Sequence, residues 1–150
     1  MINHKITSGF TLVELVMVLI LTAILAAVAG PRFFNESDFD ERGFYDQVTA
    51  AARFAQKYAV TSGVPVTFAV VANTSFALTQ SGGGVLNPGT LAAFTGNLPA
   101  GVTPFSMAPA ASITFDAFGT VPAMSTGSAT ITVGSRPITI WGATGFVDAP

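Results

Sequence analysis

The pattern of hydrophobic and polar positions changes twice along the chain. From Leu15 to Gly30 there is no charged residue, and Thr22 carries the one polar side chain. Counted from Phe10, the apolar run has 21 residues, which in an α-helix would measure about 32 Å and would cross a bilayer core of about 30 Å. Pro31 follows directly, and a proline there is expected to kink or end the helix. The pattern predicts a helix over residues 10–31 that is buried on all sides.

The second pattern, in residues 32–62, has the period of an amphipathic helix and is best marked from Ser37 to Ser62. Acidic side chains crowd the start of this segment, whereas Arg53 and Lys57 lie towards its end, an order that the helix dipole favours. We expect the acidic cluster to be solvated surface, with a subunit contact or an ion as the alternative. Apolar positions recur at spacings of four and three residues, so that one helical face is formed by Phe44, Val48, Ala51, Ala55 and Tyr58.

After Gly63 the period becomes two, which is typical of half-buried strands. Hairpin turns are expected at Asn73-Thr74 and Gly134-Ser135, residues 81–89 are expected to be a flexible loop, and prolines interrupt residues 91–111. We expect residues 63–150 to form one twisted antiparallel sheet of about five to seven strands, covered by the apolar face of the second helix. The predicted strands are 64–70, 75–80, 112–118, 129–133 and 137–141, and residues 142–147 are a candidate for an edge strand.

Glu14 is a charged residue inside the apolar helix. A charge at mid-bilayer costs about 2.5–3.5 kcal/mol, so a simple anchor would not need it. The polar leader before the helix ends in Gly9, and a cut at the Gly9-Phe10 junction would create a new α-amine on Phe10, about one helical turn from Glu14. This amine could meet the carboxylate of a neighbouring copy shifted by about one turn. The alternative is a shallow Glu14 in the headgroup zone with no role.

The segment Gly9-Phe10-Thr11-Leu12-Val13-Glu14-Leu15 resembles the class III signal of type IV prepilins and type II secretion pseudopilins, and Pro31 matches the helix-kinking proline of that family. The resemblance implies cleavage after Gly9 by a prepilin peptidase and N-methylation of Phe10. It implies that Glu14 neutralises the Phe10 amine of an adjacent subunit. It also implies the α+β pilin fold, in which a long N-terminal helix, half membrane-spanning and half amphipathic, packs on a C-terminal antiparallel β-sheet.

The same resemblance implies the organisation and the partners of the chain. Residues 1–9 would be a leader peptide, 10–31 a transmembrane and filament-core helix, 32–62 an amphipathic helix, and 63–150 the globular β-sheet domain. The chain would span the inner membrane once, with its N-terminus cytoplasmic and its domain periplasmic, before it enters a periplasmic or extracellular filament. Its partners would be membrane lipid, the prepilin peptidase, an inner-membrane assembly platform and other pilin or pseudopilin subunits.

Three further segments resemble one branch of this family. Asp40–Phe44, Arg53–Lys57 and Ile113–Gly119 are similar to the H-type minor pseudopilins and to minor pilins of the mannose-sensitive haemagglutinin (MSHA) pilus system. The resemblance implies a structural subunit, a minor pilin or pseudopilin, of a type IV pilus or a type II secretion pseudopilus. The alternatives are a major pilin subunit and a binding module displayed at a filament tip, which would contact a surface or an exported substrate.

A second processing site is the alternative to the prepilin junction. Ala27-Val28-Ala29 has the A-x-A pattern, so ordinary signal peptidase would cut after Ala29 and release a soluble chain. The internal Glu14 and the complete Gly9-Phe10 junction favour prepilin processing.

Composition excludes most catalytic chemistry. The 150 residues are 50% hydrophobic and 9% charged, with no cysteine and one histidine, whereas about a quarter of a soluble domain is usually charged. That histidine is His4, in the leader, so the processed chain lacks the imidazole and thiol that nucleophilic triads and the usual zinc sites require. We therefore expect no enzyme activity, no cofactor and no metal. A net charge of −2, with Arg136 as the one cation beyond Lys57, argues against nucleic-acid binding.

Overall fold

The computed structural model describes residues 9–29, 36–85 and 92–150. The chain divides into two compact units, Met1–Glu36 and Ser37–Pro150. Helix α1 (Leu12–Ala29) lies in the first unit, and helix α2 (Glu36–Ser62) begins at the boundary and continues through the second. Pro31 and the leader before Gly9 lie outside the described residues, so the kink and the leader stay predictions.

Helix α1 begins at Leu12 because Thr11 caps it. The Glu14 amide donates a hydrogen bond to Thr11 Oγ1 at 3.2 Å, and the Leu15 amide donates to the Thr11 carbonyl at 3.1 Å. Threonine is a favoured cap because its side-chain oxygen satisfies an amide that has no partner within the helix. The sequence places the start at Phe10, and the structure places it two residues later.

The apolar face predicted for α2 is confirmed. Its residue Phe44 is 2% exposed, and Thr49, at 7%, is the one side chain of the polar and charged classes that is buried in the described chain. The other buried or partly buried members of the face are Tyr45, Val48, Ala51, Ala52, Ala55, Tyr58 and Ala59.

Nine strands follow α2 within the described residues, and they form two antiparallel sheets where one was expected. The first sheet has the order β3-β2-β1-β6, with β4 also paired to β2, and the second has the order β5-β7-β8-β9. The strands are β1 (Val66–Val71), β2 (Ser75–Gln80), β3 (Gly83–Gly84), β4 (Thr95–Asn97), β5 (Phe105–Ala108), β6 (Ser112–Phe115), β7 (Ser128–Val133), β8 (Arg136–Trp141) and β9 (Val147–Asp148).

The expectation of a single sheet is wrong because β6 and β7 do not pair. β6 pairs with β1, β7 pairs with β5 and β8, and a short 3-10 helix, Pro122–Met124, lies between them. Strand β5 was not predicted, and it fits between Pro104 and Pro109. It pairs on one side only, with β7, which is the edge position where flanking prolines are tolerated. Gly83–Gly84, expected in a loop, pairs with β2.

Both predicted hairpins are confirmed. Val71 pairs with Ser75 at the end of β1 and β2, and Val133 pairs with Arg136 at the end of β7 and β8. Gly134, in the second turn, has φ +57°, a left-handed conformation that glycine adopts without steric cost. Local turn chemistry therefore fixes the register of both hairpins.

Helix α2 joins the two sheets in one core. The ring centroid of Phe44 lies 6.0 Å from that of Phe76 in β2 and 5.0 Å from that of Phe105 in β5. The Phe44 and Phe105 planes meet at 82°, the edge-to-face arrangement that the ring quadrupoles favour. Phe68 in β1 stacks on Phe76 at 5.5 Å and extends the cluster. One side chain of α2 thus contacts both sheets.

We expect Phe44→Ala to lower the free energy of unfolding by about 3–5 kcal/mol, because it opens a cavity where both sheets meet the helix. The matched control is Phe39→Ala on the same helix, where the ring is 74% exposed and the expected change is within about 0.5 kcal/mol. Thermal unfolding of the detergent-solubilised full chain measures both. Equal shifts in the two variants would contradict the packing described.

Candidate functional site

The start of α1 holds the residues that the sequence singles out. Gly9 and Phe10 precede the helix, Phe10 is 78% exposed, and Glu14 lies in the first helical turn. Phe10 lies before Leu12, the first residue of α1. The one-turn distance expected between Phe10 and Glu14 therefore does not follow from helical geometry within one chain.

The backbone amide of Glu14 takes part in a helix cap that was not predicted. Thr11 at the cap and Glu14 three residues later have the spacing of a capping box, and the Glu14 amide bonds to the Thr11 hydroxyl oxygen. An acidic side chain in the first turn also interacts favourably with the helix dipole. The Thr-x-x-Glu pattern was readable from the sequence. Any role of the carboxylate between subunits must therefore be separated experimentally from capping.

The side chains of α1 form an apolar surface on all sides. All the side chains that the structure describes in this helix, residues 12–26, are exposed, and the large apolar ones range from 44% for Val16 to 78% for Leu12. Exposed apolar surface of this extent usually marks a contact with protein or membrane. Thr22 adds no unpaired polar group, because its hydroxyl donates to the carbonyl oxygen of Val18 at 2.9 Å. In the described parts of the chain, no helix meets the length and apolarity that a membrane crossing requires.

In the second unit, Glu41 near the start of α2 contacts the turn between β7 and β8. Its Oε1 accepts hydrogen bonds from the Ser135 hydroxyl at 3.2 Å and the Ser135 amide at 3.4 Å. Arg136 Nε lies 3.5 Å from the same oxygen, an ion pair without a hydrogen bond. A Cβ at Gly134 would overlap the carboxylate, so the glycine permits this close approach. Partly exposed ion pairs contribute about 0.2–1 kcal/mol, and the contact mainly fixes the position of the turn.

Tyr45 lies beside this contact. Its hydroxyl donates to the carbonyl oxygens of Pro137 at 3.3 Å and Pro150 at 3.4 Å, and the Arg136 guanidinium lies 5.8 Å from its ring centroid. Burial raises the pKa of the Tyr45 phenol, so the hydroxyl stays protonated and remains a donor. An open cleft of about 460 Å³ borders Tyr45, Arg42 and Arg136.

At the other end of α2, Gln56 holds two loops together. Its side-chain amide donates to the carbonyl oxygens of Gly119 at 3.3 Å and Thr144 at 3.0 Å. In the first of these loops, Asp116 Oδ1 accepts from the amides of Phe118 at 3.0 Å and Thr120 at 2.8 Å, so its carboxylate closes the turn.

No cluster of acidic or histidine side chains able to hold a metal ion occurs in the portion of the chain that the structure describes. The polar contacts at both ends of α2 join the helix to the turns of the sheets. The large exposed apolar surface of the described residues belongs to α1.

A family model described as "Type II transport protein GspH" matches residues 45–143. The chain belongs to the GspH family. The match covers most of the second unit, and it confirms the resemblance to H-type minor pseudopilins.

Individual relatives agree with this assignment. The GspH-family chain is 39% identical over 67 residues, 43% of its length, to the "Type IV narrow pilus major component PilA5" of Thermus thermophilus, and this match spans 58% of that relative's length.

Two solved structures share the fold. The minor pilin FimU of Pseudomonas aeruginosa superposes with a TM-score of 0.58 at 16% identity, over 76% of this chain and 90% of that one. The minor pseudopilin EpsH of the Vibrio cholerae type 2 secretion system superposes with a TM-score of 0.52 at 12% identity, over 77% of this chain and 95% of that one. The α+β pilin fold predicted from the sequence is therefore confirmed.

The Asp116 loop of the GspH-family chain should make its stability depend on pH. Desolvation alone would raise the pKa of the Asp116 carboxyl, but hydrogen bonds from the Thr120 hydroxyl and from the amides of Thr120 and Phe118 outweigh it, and the pKa is lowered. A carboxyl whose pKa is lowered by folding stabilises the fold fully above its ordinary pKa and loses that contribution as the pH falls through the lowered value.

We therefore expect Asp116→Asn to lower Tm at pH 6 and to lower it progressively less below about pH 4, where the native carboxylate also becomes protonated. Thermal unfolding of both proteins between pH 6 and pH 2 measures this difference. A Tm difference that does not change with pH would show that the ionised carboxylate contributes nothing.

Proposed function

We propose that the protein is a structural subunit, a minor pilin or minor pseudopilin, of a type IV pilus or a type II secretion pseudopilus. The observation that carries the proposal is the GspH family match, in a chain whose first helix exposes an apolar surface on all sides. That surface requires lipid or protein around it, and a filament core of packed helices supplies protein. The fold of the second unit, shared with a minor pilin and a minor pseudopilin, supports the same function.

The proposal places the chain first in the inner membrane and then in a filament. Residues 10–31 would span the membrane once, with the N-terminus cytoplasmic and the second unit periplasmic. The support is the uncharged run from Leu15 to Gly30, together with the leader that ends at Gly9. Partners in this pathway are a prepilin peptidase, an inner-membrane assembly platform and other pilin or pseudopilin subunits. No catalytic activity and no nucleic-acid binding is assigned to the chain.

Within the filament, the Glu14 carboxylate would pair with the Phe10 α-amine of an adjacent subunit. A charge in an apolar helix costs about 2.5–3.5 kcal/mol. Opposite charges about 4 Å apart attract by about 4 kcal/mol at an effective dielectric constant of about 20, so the pair offsets the cost of the carboxylate. Glu14 alone is unfavourable in lipid, and pairing makes the assembled state the favoured one. Pro31 would kink the helix where it leaves the apolar layer.

A major subunit is the second candidate, because the Thermus thermophilus relative is described as a major component of a narrow pilus. The family match and both solved structures favour a minor subunit. Abundance of the chain in sheared filaments separates the two. A binding module at a filament tip is a further alternative, in which deletion of the chain would leave filaments intact and abolish attachment.

Processing gives the first test. We expect intact-mass measurement of the membrane-extracted protein to show a chain that begins at Phe10 and carries one added methyl group. Gly9→Val should abolish this cut and leave the leader attached. A mature chain that begins at Gly30 would instead indicate cleavage after Ala29, and it would contradict the proposed function.

The second test separates the charge of Glu14 from its position in the capping box. Glu14→Gln removes the charge but keeps a residue that suits the third position of a capping box, whereas Thr11→Ala removes the cap and keeps the charge. We expect Glu14→Gln to reduce incorporation into sheared filaments at least tenfold and Thr11→Ala to reduce it less than twofold. Quantitative immunoblotting of filament and membrane fractions measures incorporation.

Both variants should reach the membrane at the wild-type level, which serves as the control for insertion. If Thr11→Ala reduces assembly as strongly as Glu14→Gln, Glu14 acts as part of the cap. If neither variant changes assembly, no pairing between subunits exists at this residue.

A further inference from the structure

A cleft near the C-terminal end of α2 carries positive charge that the proposed function does not use. It has a volume of about 260 Å³ and lies where α2 meets the start of β9, lined by Arg53, Gln56, Lys57, Phe146 and Val147. Arg53 and Lys57 are four positions apart, so both extend from one face of the helix. They are two of the four basic residues in the described parts of the chain, and the lining of the cleft includes no acidic residue. The cleft therefore favours an anionic group.

The polar groups of this cleft differ in whether their hydrogen bonds are already made. The side-chain amide of Gln56 is occupied, because it donates to two carbonyl oxygens of the loops. The Arg53 guanidinium makes one long bond, at 3.5 Å to the Val147 carbonyl oxygen, and the Lys57 ammonium has no ion pair within the described residues. Both cations therefore keep donors that can bind a carboxylate or a phosphate.

Exposed aromatic side chains border the same cleft. Phe146 is 59% exposed, and Trp141, which is 50% exposed, lies opposite it, because the Trp141 amide donates to the Phe146 carbonyl oxygen at 3.0 Å. The next pair in the register, Ile140 and Val147, is buried, so Trp141 and Phe146 lie on the solvent side of the second sheet. Phe118, which is 86% exposed, lies in the adjoining loop. Apolar ring faces and free cations are thus neighbours at this end of the second unit.

The next pair on the solvent side adds hydrogen-bonding groups. Thr139 pairs with Asp148 in the register, and neither side chain makes a hydrogen bond with the described residues. The Thr139 hydroxyl can donate or accept, and the Asp148 carboxylate can accept from a hydroxyl group. The same carboxylate would repel the anionic headgroups of a bilayer. The surface therefore suits a ligand that combines rings, hydroxyl groups and an acid more than it suits a membrane.

The loop that carries Phe146 is held in place by its neighbours. The Phe146 amide donates to Thr144 Oγ1 at 3.2 Å, and Gln56 donates to the Thr144 carbonyl oxygen at 3.0 Å. A Cβ at Gly145 would overlap the Gly119 carbonyl oxygen, so this loop also packs closely on the adjoining one. A ring on such a loop loses little conformational entropy when a ligand covers it.

We propose that this cleft and the rings beside it bind an acidic saccharide. The acid group of the sugar pairs with Arg53 and Lys57. The apolar C–H face of a sugar ring covers Phe146 and extends towards Trp141, and sugar hydroxyl groups donate to the Asp148 carboxylate. A nucleic acid also combines charge with rings, but two cations in a chain of net charge −2 provide little of the phosphate contact that it requires. The inference goes beyond the proposed function and does not depend on assembly.

Trp141 is the one tryptophan of the chain, so its fluorescence reports binding at this place. The full-length protein, in a zwitterionic detergent without a sugar headgroup, is titrated with three acidic oligosaccharides: tetragalacturonate, tetramannuronate and a hyaluronan tetrasaccharide. We expect a saturable change in Trp141 emission with at least one of them, and weaker binding at high salt. Maltotetraose, a neutral tetrasaccharide, and citrate, which has carboxylates without a sugar ring, should each bind at least tenfold more weakly.

Matched variants locate the site. Lys57→Gln should weaken binding of the acidic oligosaccharide at least fivefold. Arg42→Gln removes the same charge from an exposed position of α2 outside this cleft, and it should change binding less than twofold. Phe146→Ala should weaken binding at least fivefold, whereas Phe39→Ala, at a ring that is 74% exposed, should change it less than twofold. Thermal unfolding checks that all four variants remain folded.

The absence of a saturable change with all three acidic oligosaccharides would overturn the inference. Equal affinity for maltotetraose would show that the cations are not used, and equal affinity for citrate would show an anion site without a place for a sugar ring, so either result rejects an acidic saccharide. Tighter binding of an eight-nucleotide thymidine strand would assign the site to nucleic acid instead. Equal losses in Lys57→Gln and Arg42→Gln would place the binding outside this cleft.

Discussion

Burial of one stripe of α2 against two separate antiparallel sheets is the contact on which the second unit depends. The sheets do not pair with each other by backbone hydrogen bonds in the described residues, so side-chain packing must fix their positions. Phe44 contributes most visibly, because its ring meets Phe76 of one sheet and Phe105 of the other. Polar contacts at the two ends, from Glu41 to Ser135 and from Gln56 to Gly119, then align the helix with the turns. A small loss of apolar contact in this stripe of α2 would therefore weaken the packing of both sheets.

The two helices of the chain differ in whether their apolar side chains are covered. In α2 the apolar side is covered by strands, and the solvent side carries charge at both ends. In α1 the described side chains are exposed on every side, although nearly all of them are apolar. The second unit therefore has a folded core of its own, whereas the apolar side chains described in α1 are left exposed. Glu14 makes some surroundings of α1 more favourable than others, because its carboxylate is favoured where a cation is present and disfavoured in lipid.

Short-range features of this fold could be read from the sequence, and long-range ones could not. The alternation at Val66, Phe68 and Val70 and the turn at Gly134-Ser135 are local, and each predicted its element correctly. The sequence did not predict strand β5 because prolines on both sides of a segment are typical of loops. Its position also depends on pairing with β7, which is distant in sequence. The hydrogen bonds from Gln56 to Gly119 and Thr144 span 63 and 88 residues of sequence, and no local pattern predicts them. At the start of α1 the motif identified Gly9, Phe10 and Glu14, whereas the cap at Thr11 became evident from the hydrogen bond.

The proposed pairing of the Glu14 carboxylate with the Phe10 α-amine of another subunit can be tested directly by cross-linking. A water-soluble carbodiimide joins a carboxylate to an amine in direct contact as an amide, with loss of water and no spacer between them. Filaments assembled from a mixture of isotopically light and heavy chains can be treated in this way, digested and analysed by mass spectrometry. The account predicts a peptide that links Glu14 of one isotope to Phe10 of the other. An α-amine that stays free, or that is linked only within its own chain, would contradict it.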